Sequence, residues 1–147
     1  MDIDDWTVAN VESVRFAHPK SWQAEVDRSE EGVSVFLQSD AVSFGVVGIY
    51  PSSQEPEEVV EQILDSVRDE HPGLEVETLD FDAERFEDGV ASEGLFMTLD
   101  MVAYCWVMSW RLRHQTVVVY VQCIQPEAGE SEEIFQGICQ SVDEGSP

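Results

Sequence analysis

Cations are what this sequence has least of. One lysine, Lys20, and six arginines stand against 31 Asp and Glu, giving a net charge of −24 over 147 residues. A nucleic-acid surface needs clustered cations to displace phosphate counterions, and an anionic membrane repels a polyanion, so neither is expected as a partner. The acid excess names no ligand, because solubility and salt adaptation produce it equally well. Cysteine is scarce too. Cys105, Cys123 and Cys139 are an odd count with no CxxC or His-paired spacing, which argues against a disulfide framework or a zinc site. Each sits among apolar residues and reads as a small buried hydrophobe. No apolar run approaches the ~20 residues of a membrane span. The opening Met1-Asp2-Ile3-Asp4-Asp5-Trp6 is acidic where a secretory signal is basic, so the expected location is the cytoplasm. There is no Gly-rich phosphate loop, GxSxG elbow or HExxH pair, no low-complexity linker, and no repeat of the roughly 20 to 50 residues that would signal a solenoid.

What is present suits one globular domain. An apolar content of 43% lets a chain of this length bury about 70% of its unfolded surface. The expected organisation is an acidic arm over 1–12, a single domain over 13–143 and a short tail over 144–147. Residues 13–18 and 22–27 read as extended segments interrupted by Pro19, which cannot donate to a ladder. Segments 33–38 and 41–50 are rich in Val and Phe, with Ser39-Asp40 as a hairpin turn and Gly45 and Gly48 as bulge candidates. The period then changes. From Glu55 to Glu70 the apolar positions are Val59, Val60, Ile63, Leu64 and Val67, one stripe of a helix that starts at Pro56 and stops at Pro72-Gly73. Strands return at 74–81, 89–99, 102–112 and 116–124, with a tight turn near Asp100. A second helix is expected from about Glu132 to Val142, N-capped by Ser131, with the stripe Ile134, Phe135, Ile138, Cys139 and Val142. Short connections between successive strands imply an α+β fold: a mainly antiparallel twisted sheet flanked by two main helices.

Phe16-Ala17-His18-Pro19-Lys20-Ser21-Trp22 resembles the opening of the PsbP-like and DcrB-like superfamily, in which a first strand turns at proline and a tryptophan plugs the core. The resemblance continues in element order from about residue 13 to residue 142, including a helix end that reads His71-Pro72-Gly73-Leu74. It implies an antiparallel sheet flanked by helices and action through binding other proteins. One branch, the Eag-type chaperones of type VI secretion effectors, is small, acidic, cytoplasmic and dimeric, and shelters apolar effector segments on a sheet face. No binding residue is carried over from any branch.

Four residue groups compete for a functional role. On the strand 102–112, Tyr104, Trp106, Met108 and Trp110 share one face at period two, while Ala103, Cys105, Val107 and Ser109 share the other. The large face is either core beneath a helix or an exposed patch that binds a partner or a second copy of the chain. Asp80, Asp82, Glu84, Glu87 and Asp88 form the densest carboxylate cluster. As an EF-hand it fails, with Arg85 where the loop needs Gly and Ala91 where it needs Glu, so it reads as a solvated loop and no metal or cofactor is expected. His18, His71 and His114 belong to no catalytic motif. Arg111, Arg113 and His114 are the one local basic cluster, and they either neutralise nearby carboxylates or hold an acidic group. The functional expectation is therefore a non-enzymatic protein-interaction domain, chaperone- or adaptor-like, with an apolar sheet face. The alternative is a small-molecule or metal-dependent enzyme using the acidic loops.

Overall fold

A computed structural model describes residues 5–39 and 41–144. Its strands are β1 (Trp6–Val11), β2 (Val14–Pro19), β3 (Gln23–Arg28), β4 (Val33–Gln38), β5 (Phe44–Pro51), β6 (Glu75–Thr78), β7 (Val90–Thr98), β8 (Met101–Arg111), β9 (Gln115–Ile124) and β10 (Asp143–Glu144). Helix α1 is Pro56–Glu70 and α2 is Ala128–Ser141. Seven strands form one sheet in the order β3-β4-β5-β9-β8-β7-β6, and β1-β2-β10 form a second; every pairing is antiparallel. The α+β expectation with two helices thus holds.

Alternation along β8 and β9 divides the core. The stripe Val59, Val60 and Leu64 of α1 packs on Cys105, Val107, Val118 and Tyr120, one face of the large sheet. The stripe Ile134, Phe135, Ile138 and Cys139 of α2 packs on the other face, with Trp106, Met108, Trp110, Val117, Val119 and Val121. The small sheet shares that second face, sending Val11, Val14 and Phe16 into the same cluster. Trp22 is only 6% exposed there. The two segments flanking Pro19 therefore end in different sheets: β2 closes at Pro19, opposite Trp6, and the chain crosses over before β3 begins. A prolyl residue without an N–H suits such an exit.

Four local expectations are corrected. Residues 6–11 are strand β1 rather than part of an arm, because alternate residues pack against the small sheet's core side; Trp6 lies against Gly137 of α2, where an added Cβ would come close to the indole. Helix α2 begins at Ala128, after a 3-10 turn at Gln125–Glu127, so Ser131 is a buried residue inside the helix and not its N-cap. Gly45 and Gly48 are not bulges, since β5 keeps an unbroken register with both neighbours. Gly48 instead leaves room for close approach: a Cβ there would sit 2.9 Å from both the Tyr50 ring and Val118. Glu144 belongs to β10 and not to a free tail. The 39–40 turn is described only at Ser39, whose hydroxyl donates to the Ser43 carbonyl at 2.8 Å; Asp40 lies outside the described residues, as do 145–147. The turn near Asp100 is present, with Leu99 and Asp100 both at positive φ, the geometry of a two-residue hairpin.

Candidate interaction surface

The large face of β8 is where the sequence directs attention first. Trp106 is 1% exposed, Met108 3% and Trp110 3%. Three of the four residues expected as a partner-binding patch are thus core, and only Tyr104 keeps part of its surface. Two covers account for this. Helix α2 lies over the middle of the strand, and the segment 79–89 folds Phe86 edge-on against Trp110, with ring centroids 4.9 Å apart. The indole N–H of Trp106 donates to Glu93 Oε1 at 3.2 Å, so its polar atom is satisfied in place. Tyr104 stacks beside Trp106 and lines a cleft of about 200 Å³ with Glu75, Glu77 and Glu93.

The acidic segment 80–88 acts as that cover. Asp82 Oδ1 accepts the Glu84 N–H at 3.1 Å, a local turn, and Arg85 reaches the Gln140 carbonyl of α2. Asp88 pairs with Arg111 at 2.9 Å. Among the described residues no group of three metal-ligating side chains comes together. Arg111 also holds Glu55 at 2.6 Å and the Ser52 carbonyl at 2.6 Å, which ties the start of α1, the acidic segment and the end of β8 to one guanidinium. Its neighbours raise its already high pKa, the hydrogen bond to Glu55 foremost. Neutralisation of local carboxylates is therefore what Arg111 does, while Arg113 is exposed beside it. The backbone N–H of His114 donates to both Glu144 oxygens at 3.0 Å.

The histidines and cysteines are dispersed through the fold. His18 is buried on β2, and its Nδ1 lies 2.9 Å from the Pro19 carbonyl; His71 stacks on Phe96 with centroids 4.1 Å apart; His114 is exposed in the β8–β9 turn. Burial pushes the Cys105 thiol up to about 11 and raises Cys123 and Cys139 as well. A thiol so raised stays protonated and is a poor nucleophile near neutral pH.

Exposed apolar side chains occur at the β7–β8 hairpin, with Met97, Leu99 and Met101, and an exposed aromatic one on the half of the large sheet that α1 does not reach. Helix α1 packs against β7, β8 and β9. On the same face, β4 and β5 present Phe36, Phe44, Val46 and Tyr50. Phe36 is 40% exposed, and the other three are half-buried. Phe36 stacks on Phe44 at 5.6 Å, and Phe44 lies 6.2 Å from Tyr120, so an aromatic row runs from β4 across β5 to the foot of α1. Tyr120 anchors its inner end, donating its hydroxyl to Gln122 Oε1 at 2.6 Å; burial raises the phenol's pKa. At the outer end the register places Glu25 beside Phe36 and Asp27 beside Ser34, both acids exposed on edge strand β3.

Sequence reasoning did not single out this row, although a signal was available. β5 buries Val47 and Ile49 on one side and still carries Phe44, Val46 and Tyr50 on the other, beside Phe36 of β4. A strand apolar on its second face needs a second cover.

No protein-family model and no curated protein matches the sequence. Among solved structures, the chain is similar to cyanobacterial PsbP (CyanoP) from Synechocystis sp. PCC 6803, known from its solution structure. The two share 14% identity at a TM-score of 0.62, over 97% of this chain and 94% of that one. A likeness of that extent at so low an identity establishes the fold, which is PsbP-like across essentially the whole chain.

Proposed function

We propose that this chain is a non-enzymatic interaction domain, adaptor- or chaperone-like, that covers an apolar segment of another protein with the open half of its sheet. The observation that carries the reading is Phe36. It is 40% exposed at the end of a stacked aromatic row, in a chain whose other large aromatics on β4, β5, β8 and β9 are at least half-buried. Apolar surface rimmed by carboxylates fits a partner that brings both apolar and cationic side chains. The acid surplus would keep the free domain soluble and speed encounter with such a partner.

The test compares retention from native lysate by three forms of the domain: wild type, Phe36→Glu, and Val8→Glu as an equally disruptive charge on exposed apolar surface of the small sheet. The expected result is a defined protein held by wild type and Val8→Glu and lost by Phe36→Glu, with unchanged melting curves. A protein held equally by all three, or none held by wild type, refutes the reading.

A further inference from the structure

Strand β3 ends the large sheet. It pairs with β4 over all six of its residues, from Gln23↔Gln38 to Arg28↔Val33, and among the described residues its other side has no neighbouring strand. All six residues are exposed. The opposite end of the sheet is different: β6 has four residues, and two of them are Glu75 and Glu77. Shortness, charge, proline and bulges are the usual protections against further pairing, and of these β3 has only charge, in Glu25, Asp27 and Arg28. β3 is longer, regular in register, and free of proline, glycine and bulges.

Its two faces differ in chemistry. Gln23, Glu25 and Asp27 lie on the side of the Phe36 row; Ala24, Val26 and Arg28 lie on the side of Val35 and Leu37. Val26 is 41% exposed although its cross-strand neighbour Val35 is fully buried. Arg28 is occupied by Glu12, with Nε and Oε1 3.3 Å apart. Glu25 and Asp27 make no ion pair among the described residues. A strand laid along this edge would therefore meet two unneutralised carboxylates on one face and a half-covered valine on the other.

Beyond the Phe36 row, we propose that a protein segment binds as an eighth strand along β3, in extended conformation, with cationic side chains on the Phe36 side alternating with apolar ones on the Val26 side. Directly opposed residues of neighbouring strands point to the same face, so the cations oppose Glu25 and Asp27 while the apolar residues cover Ala24 and Val26. Main-chain hydrogen bonds supply affinity and the alternation supplies selectivity. A second copy is the wrong occupant. Twofold antiparallel pairing of β3 with itself preserves the faces, so each register sets the row of Glu25 and Asp27 against the same row, between chains that each carry −24.

The experiment uses the full chain, isotopically labelled, and a short end-capped peptide alternating Lys and Val. Two control peptides accompany it: one alternating Glu and Val, and one N-methylated along the edge that would pair. Hydrogen exchange and amide shifts are followed residue by residue. The expected result is protection of β3 amides by the Lys–Val peptide alone. A Glu25→Lys, Asp27→Lys double variant should weaken that binding by about tenfold or more and accept the Glu–Val peptide instead. Shifts spread over the acidic surface without β3 protection, or equal binding of the N-methylated peptide, overturn the proposal. So does a wild-type dimer in sedimentation whose β3 amides are protected without any peptide. The Phe36→Glu comparison stands apart from these outcomes: if it removes a lysate partner while β3 stays unprotected, the strand mode fails and the interaction reading survives.

Discussion

Truncating Trp106 separates a core strand from a docking strand. Its side chain is 1% exposed, packed among the α2 cluster, stacked beside Tyr104 and hydrogen-bonded to Glu93. Trp106→Ala therefore removes a large buried side chain, opens a cavity between sheet and helix, and leaves the Glu93 carboxylate without its donor. Buried aromatic truncations cost about 3–5 kcal/mol. That is a large share of the roughly 5–15 kcal/mol that holds a domain together. At about 2–4 °C per kcal/mol for a domain of this size, the melting temperature should fall by about 6–20 °C. Phe36→Ala is the matched control. With 40% of its surface already in water, it should cost about 1–2 kcal/mol and leave the cooperative transition intact. Urea and thermal melts, with sedimentation on the same samples, read both quantities. A Trp106→Ala variant as stable as Phe36→Ala would refute the placement of the β8 aromatic face beneath α2. It would also return Tyr104, Trp106, Met108 and Trp110 to the surface.

Removing residues 1–12 should destabilise the domain by ~3 kcal/mol or more in urea unfolding, because β1 supplies buried Val11 and the Trp6 contact on α2; an arm would be removed without effect. Stability should decline as pH rises from about 9 towards 11. Below that window the thiols are protonated in both states, whereas within it the unfolded chain ionises at the ordinary 9.0 while burial holds Cys105 protonated up to about 11. Cys105→Ala should flatten that decline, and an unchanged slope in alkaline melts would count against the burial. Millimolar Ca²⁺ should raise the melting temperature no more than Na⁺ at equal ionic strength, since Asp88 is held by Arg111, Asp82 by local backbone, and no three ligating side chains come together among the described residues; a saturable, Ca²⁺-specific rise would show a site there.

Local periodicity was enough to place nearly every element. The α1 stripe, the period-two alternation of β8 and the doubly apolar run Val117–Val121 each depend on neighbours within a few residues, so they are legible in a single sequence. The same alternation sorted Tyr104, Trp106, Met108 and Trp110 onto one face, as the structure has them. It could not say what lies over that face. That depends on contacts across the chain: α2 returning from residue 128, Phe86 closing on Trp110, and β1 and β10 joining β2 from opposite ends of the sequence. β1 was missed because the acids on either side of it, Asp4-Asp5 and Glu12, make the opening read as a charged arm, although WTVANV itself carries none and its pairing with β2 shows only in the fold. The exposed row at Phe36 was missed for the complementary reason. Its signal is a shortage, one helix for one face of seven strands, and only the tertiary arrangement decides that α1 sits over β7, β8 and β9, half-covers Phe44, Val46 and Tyr50 of β5, and leaves Phe36 of β4 exposed. Pattern determines which side of a strand is apolar; packing determines which apolar side is core and which is surface.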